Sequence, residues 1–225
     1  PLFFFHPHAA IADRSPSRGL GDVYKRQPFK TRDGAEVKLI DVINEAVTRA
    51  YQLVREKNPS LTDEEHRSIA EIVGVGAMKY AELSKNRGTD YIFDWDILLS
   101  FEGNTAPYLQ YAYTRIQSVL KKAGVEPIDL RGQITLAEPD ELDLGVKLLQ
   151  FSEAIEDALE DYQMNVLCNY LFELSGQFMS FYEHCPILKQ SDPEIQHSRL
   201  RLASITANVL QLGLGCLGIK TVDRM

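Results

Sequence analysis

Apolar residues recur at helical spacing along nearly all of this chain from Val37 onward, and this periodicity constrains the fold more than any other feature. No segment alternates apolar and polar residues in the way that a half-buried strand requires. The periodic segments predict helices over Val37–Lys57, Thr62–Leu83, Asp96–Glu102, Pro107–Lys122, Pro139–Leu159, Asp161–His184 and Pro193–Gly218. Because the connections in the second half are short, we expect an antiparallel bundle there. The predicted fold class is all-α, a helical bundle preceded by further helices.

Residues typical of helix ends support several of these boundaries. Thr62 and Glu65 form the pattern of a capping box at the start of the second helix. Gly124, with lysines just before it, is typical of the residue that follows a helix. Gly74 lies inside the second helix, where a glycine permits close packing or a local bend at some cost in helix propensity.

The composition limits the classes of protein to which this chain can belong. The 225 residues carry a formal net charge of −8, with 44% hydrophobic and 25% charged residues, which is ordinary for a globular protein. The charge excludes a uniformly basic nucleic-acid coat protein, although a local basic patch can still bind nucleic acid. No apolar run reaches the roughly 18 residues that a membrane helix needs. We therefore expect a cytoplasmic protein without a membrane partner.

The sequence predicts no metal site. The cysteines are widely spaced and odd in number, which fits neither a disulfide framework nor a C-x-x-C metal site. Asp94 and Asp96 flank Trp95, but two carboxylates without a histidine or further ligands are a weak metal signal. The acidic residues over 153–161 are interpreted as the solvated face of a helix.

We interpret residues 1–27 as a non-native, disordered leader. Ser17–Gln27 reads SRGLGDVYKRQ, which resembles the translation of a transposase adapter used in shotgun sequencing libraries. Such a segment is excluded from fold reasoning, as a cloning remnant would be. The alternative is a genuine disordered tail. On the adapter interpretation, the natural gene continues upstream of Pro28.

One helix face has the chemistry of a single-stranded RNA reader. Tyr108, Tyr111 and Arg115 are spaced at i, i+3 and i+7 on the helix after Pro107, so their side chains share a face. Aromatic rings stack on unpaired bases, and a guanidinium can stack on bases or bind phosphates. The alternative is that the tyrosines belong to the bundle core and the arginine forms a structural salt bridge. Spacing alone favours the core, because aromatic residues at helical spacing are usually buried.

The helix after Pro107 belongs to the segment FEGNTAPYLQYAYTR, within DYIFDWDILLSFEGNTAPYLQYAYTRIQSVL. This segment resembles the arginyl-tRNA synthetases, a family of class I aminoacyl-tRNA synthetases, and it is the most specific of several such segments. PFKTRDGAEVKLIDVINEA is similar to the segment after the family's nucleotide-binding core, and the C-terminal half is similar to its helical DALR anticodon-binding domain. The resemblance implies the helical end of a catalytic domain over residues 28–100 and an anticodon-binding bundle over residues 101–225.

The resemblance also implies site residues. The family's contacts to the tRNA anticodon fall on Tyr108, Tyr111, Arg115 and the terminal Met225. Lys30 and Arg32, in the sequence FKTR, occupy the place of the mobile KMSKS loop, whose lysine stabilises charge on the ATP phosphates. Without the family, that segment is simply a solvated basic turn.

The implied activity is that of an arginine–tRNA ligase: ATP-dependent activation of arginine, with Mg²⁺, followed by transfer to tRNA(Arg). The family's usual form is a monomer, and neither DNA nor a membrane is an expected partner. The chain lacks a HIGH-type motif, so we expect it alone to bind tRNA without a cofactor and without aminoacylation. The alternative is a stand-alone helical module that binds RNA or protein. An anticodon domain of another class I synthetase is disfavoured by the segment NTAPYLQYAYTR.

Overall fold

The computed structural model describes residues 38–86, 88, 93–125 and 132–225, and over these residues the chain is helical, without a strand. The predicted all-α fold is therefore confirmed. The helices are α1 (Leu39–Lys57), α2 (Asp63–Leu83), α3 (Trp95–Leu98), α4 (Ala106–Ala123), α5 (Pro139–Leu149), α6 (Phe151–Glu160), α7 (Met164–His184) and α8 (Pro193–Cys216). No helix in this part of the chain is long and apolar enough to cross a membrane.

The end signals that the sequence predicted are present. At the start of α2, the backbone N–H of Glu65 donates to the Thr62 hydroxyl, while the Glu65 carboxylate accepts from the Thr62 N–H. At the end of α4, Gly124 adopts the left-handed conformation, with φ of 68°. That conformation strains residues with a side chain, which explains the glycine.

The predicted helix over Asp96–Glu102 is wrong in its extent, because α3 is a single turn that ends at Leu98. The Asp94 carboxylate begins this turn by accepting from the backbone N–H groups of Asp96 and Ile97. Bends follow over residues 101–105. Thr105 ends them, since its hydroxyl accepts from the N–H of Tyr108 and thereby begins α4.

The single helix predicted over Pro139–Leu159 is also wrong, because it is two helices that meet at Gln150. The N–H of Gln150 bonds tightly back to the carbonyls of Leu148 and Lys147. The break turns the chain so that α5 and α6 each bury their own apolar residues beside α7, Leu144 on the first helix and Ala158 on the second. No glycine or proline marks this junction, so the sequence pattern could not reveal it.

The apolar residues form two clusters. The first involves α1, α2 and α3, and Gly74 lets α1 and α2 approach closely: a Cβ at Gly74 would lie 2.8 Å from the backbone nitrogen of Val47. The second cluster is the core of the bundle from α4 to α8. The C-terminal segment joins both, because Ile219 is buried in the bundle core while Val222 is buried in the first cluster. The residue boundaries of the two predicted domains stay a prediction.

Candidate nucleic-acid interface

The face of α4 that carries Tyr108, Tyr111 and Arg115, which we call the α4 face, is half-buried at each of these residues. An adjacent side of α4 contributes Leu109, Ala112 and Ile116 to the bundle core, all fully buried. The α4 face continues along the helix to two exposed residues at the same spacing, Ser118 and Lys122.

The core interpretation is correct for a neighbouring tyrosine. Tyr113 is 4% exposed, and its hydroxyl lies 3.3 Å from the side-chain nitrogen of Gln211 on α8. Tyr108 and Tyr111, in contrast, are only partly buried. Packing therefore divides the tyrosines of one helix into a core residue and two surface residues.

Tyr108 packs against α7. Its ring meets that of Phe172 edge-on, with centroids 5.7 Å apart and planes at 60°. Partial burial raises the pKa of the Tyr108 hydroxyl further above neutrality, so the hydroxyl can donate a hydrogen bond at neutral pH. Tyr108 is thus held by Phe172 and by the bundle core, while the residue as a whole stays partly exposed.

Arg115 lies between two tyrosines. Its guanidinium carbon is 5.6 Å from the ring centre of Tyr111 and 4.8 Å from that of Tyr182 on α7, and a guanidinium nitrogen donates to the Tyr111 hydroxyl. Within the described residues it forms no ion pair with a carboxylate, so the expected salt-bridge alternative is not what the structure shows. Its positive charge lies beside two aromatic rings, and no acidic side chain in the described part of the chain neutralises it.

Tyr182 is a site residue that sequence reasoning missed. It lies on α7, far from α4 along the chain, and no motif or spacing connects it with Arg115. A second addition is Phe101, whose ring centre lies 6.3 Å from that of Tyr111 in an edge-on arrangement. The ammonium of Lys57 lies 6.0 Å from the Phe101 ring centre, which extends the cationic and aromatic surface to the end of α1.

Two polar residues of α4 do not belong to this surface. Gln110 and Thr114 lie on other faces of α4, and both are buried under the C-terminal segment. The side-chain nitrogen of Gln110 donates to the carbonyl of Lys220 at 2.8 Å, and the Thr114 hydroxyl lies 2.8 Å from the carbonyl oxygen of Val222. Their role is to hold the end of the chain.

These contacts and two others hold the C-terminal segment and so determine where Met225 lies. The Lys79 ammonium of α2 donates to the carbonyl of Gly218 at 2.5 Å, so side chains bind the carbonyls of residues 218, 220 and 222 in the C-terminal segment. Arg224 reaches Glu65 at the start of α2, at 3.5 Å. Met225 is half-buried and packs against the α1–α3 cluster. The terminal residue is thus anchored on the protein.

The structure describes some of the other residues named in the sequence analysis and not others. Lys30 and Arg32 lie outside the described residues, as does the whole of the leader 1–27. Within the described ranges, no group of three metal-ligating side chains is present. The acidic run on α6 is exposed, as predicted: Glu153, Glu156, Asp157, Glu160 and Asp161.

Comparison with known proteins places the chain in a family. Residues 109–225 match the model of the DALR anticodon binding domain. Residues 17–95 match the model described as tRNA synthetases class I (R), catalytic domain. Among curated relatives, the arginine–tRNA ligase of Edwardsiella ictaluri is 53% identical over 199 residues, which are 88% of this chain and 34% of the relative.

Solved structures agree with this. The arginyl-tRNA synthetase of Thermus thermophilus superposes with a TM-score of 0.77 at 32% identity, over 84% of this chain and 32% of that one. The arginyl-tRNA synthetase of Plasmodium falciparum superposes with a TM-score of 0.75 at 31% identity, over 84% and 34% of the two chains. The chain thus spans about a third of the length of the proteins it matches.

Proposed function

The chain belongs to the DALR anticodon-binding family in the form found in arginyl-tRNA synthetases, and we propose that its α4 face binds the anticodon loop of tRNA(Arg). Tyr108 and Tyr111 stack on unpaired bases, and Arg115 contacts a base or a phosphate. The terminal Met225 completes the site, with its thioether against a base. The family assignment disfavours the alternative of a stand-alone binding module.

The observation that carries this proposal is the environment of Arg115. Its guanidinium is placed between the rings of Tyr111 and Tyr182 and has no carboxylate partner among the described residues. One guanidinium nitrogen of Arg115 donates to the Tyr111 hydroxyl, and a guanidinium has further N–H donors with which to bind a base or a phosphate. Exposed ring surface beside the charge supplies the stacking partners that single-stranded RNA requires.

We assign the wider activity to the longer protein of which such a chain forms part. That activity is arginine–tRNA ligation: ATP activates arginine, and the activated arginine passes to tRNA(Arg). In this proposal Lys30 and Arg32 stabilise charge on the ATP phosphates, and Mg²⁺ accompanies the nucleotide. Neither residue is among those the structure describes, so no step is assigned to their geometry. We propose a cytoplasmic monomer, without a membrane or DNA partner.

Binding of a fluorescent anticodon stem–loop tests the proposal. Tyr108→Ala and Tyr111→Ala are each expected to weaken binding by about 1–3 kcal/mol, while Arg115→Ala weakens the cognate loop more than a non-cognate one. Arg49→Ala is the control, because Arg49 lies on α1 in an ion pair with Glu45. Unchanged affinity with lowered melting temperatures for both tyrosine variants would show that these residues only pack the bundle.

A further inference from the structure

Helix α7 carries an exposed glycine in its interior that the fold does not explain. A Cβ added at Gly176 would meet no described atom within 4 Å, and its backbone is ordinary α-helix. A glycine at an interior helix position costs about 0.5–1 kcal/mol relative to alanine. Because alanine would fit there, the helix carries this cost without a structural reason within the described residues.

Other helical glycines in the bundle contrast with it. A Cβ at Gly213 of α8 would lie 2.5 Å from a methyl carbon of Leu171 on α7, so a side chain there would have to displace that buried leucine. A Cβ at Gly74 of α2 would meet the backbone of α1, which cannot move aside cheaply. Among the described residues nothing covers Gly176, and this open space leaves room for a ligand.

The position of Gly176 indicates what approaches. It is one turn after Phe172 and one turn before Met179, so the three residues share a face of α7. Phe172 contacts Tyr108, and further along both helices Tyr182 contacts Arg115. Helices α4 and α7 therefore run side by side in the same direction, and along α7 Gly176 lies between these two contacts.

We propose that Phe172, Gly176 and Met179, which we call the α7 ledge, bind the base or ribose of an unpaired nucleotide next to those on the α4 face. The missing side chain at Gly176 lets the ring contact the helix backbone directly. This inference rests on the proposed function of the α4 face, and it adds a second wall to that site.

The chemistry of the ledge selects a ring over a phosphate. Backbone N–H groups in a helix interior already bond to carbonyls of the preceding turn and cannot bind an anion. Phe172 and Met179 offer an aromatic ring and a polarisable thioether, both of which pack well on flat π-systems. Glu183, exposed one turn beyond Met179 on the same face, repels a phosphate.

The test compares glycine substitutions in two helices. Gly176→Ala and Gly176→Leu add a small and a large side chain to the ledge, and Gly215→Ala is the matched control. Gly215 is also helical and exposed, with no described atom within 4 Å of an added Cβ. We measure melting temperature and affinity for the anticodon stem–loop in each variant.

We expect Gly176→Ala to raise the melting temperature. Affinity for the stem–loop should fall as the side chain at position 176 grows, by about fivefold or more for leucine. Gly215→Ala leaves affinity unchanged. If Gly176→Leu binds RNA like the unmodified chain while Tyr111→Ala binds weakly, the proposed role of the α7 ledge is wrong and the proposed function of the α4 face is supported. If neither variant weakens binding, the proposed function itself fails. A lowered melting temperature for Gly176→Ala would also overturn the inference, because the space would then not be open.

Discussion

The hydroxyl oxygen of Thr114 lies 2.8 Å from the carbonyl oxygen of Val222, so the helix that carries the α4 face also holds the end of the chain. Thr114 is buried, and the fully buried Gln110 one turn earlier binds the carbonyl of Lys220 in the same way. Met225 therefore reaches its position through contacts made by α4 itself.

Replacing Thr114 by valine keeps the shape of the side chain and removes the hydroxyl. We expect a loss of about 1–3 kcal/mol of unfolding free energy, because the Val222 carbonyl is left without its donor. Hydrogen exchange over residues 219–225 should become faster. The exposed Ser118→Ala on the same helix is the control. Unchanged exchange in the terminal segment would show that Thr114 does not hold it.

Met225→Ala is expected to weaken stem–loop binding with little change in melting temperature, because Met225 is half-buried and terminal. Arg224→Ala is the neighbouring control, since it removes an exposed ion pair with Glu65 of a kind that contributes about 0–1 kcal/mol. A lower melting temperature with unchanged affinity would make Met225 a packing residue only.

Tyr182→Phe should retain RNA affinity, because the phenyl ring can still lie against the Arg115 guanidinium. Tyr182→Leu should reduce affinity, and its effect should largely vanish in the Arg115→Ala background if Tyr182 acts by orienting that arginine. A double-mutant cycle measured by stem–loop titration gives the coupling energy. Strictly additive losses would mean that Tyr182 acts independently of Arg115.

A buried ion pair anchors the start of α5 to α8. The Arg199 guanidinium donates to the Glu141 carboxylate at 2.6 Å, with side chains 6% and 1% exposed. Burial alone would raise the pKa of Glu141, but the N–H groups of Glu138 and Ala137 and the Arg199 charge hold it below its usual value. Arg199→Met should cost about 3–5 kcal/mol, because it leaves a buried carboxylate unpaired.

The same pair predicts a pH dependence. Because the folded-state pKa of Glu141 lies below its unfolded value of about 4.3, its ionisation stabilises the fold above that pH. This stabilisation is lost as the pH falls through the folded-state pKa. Urea unfolding of the unmodified chain and of Glu141→Gln, compared at about pH 7 and below about pH 4, checks this. The variant should lose less stability on acidification, and an equal loss in both would exclude Glu141 as a source.

Gly74→Ala should destabilise the chain by about 1–3 kcal/mol or more, since the new Cβ would lie 2.8 Å from the backbone nitrogen of Val47 and backbone cannot move aside cheaply. Thermal unfolding measures the loss, with Gly215→Ala as a glycine that has free space. Equal melting temperatures for the two variants would contradict close packing of α1 on α2.

The sequence predictions that succeeded depend on interactions between residues that are close in the chain. The capping box at Thr62, the left-handed Gly124 and the shared face of Tyr108, Tyr111 and Arg115 each depend on residues within one or two turns. Hydrogen bonds and side-chain spacing of that range are determined by the helix geometry itself. The junction at Gln150 was missed because its cause is packing on α7, which leaves no local signal.

The sequence by itself therefore determined the helical class, the helix caps and which side chains share a face of α4. Only the tertiary structure decided that Tyr113 is core while Tyr111 is surface, that Tyr182 meets Arg115, and that Gln110 binds the terminal segment. Each of these is a contact between residues far apart in the chain. Such contacts depend on how whole helices pack against one another, and the periodicity of a single helix does not contain that information.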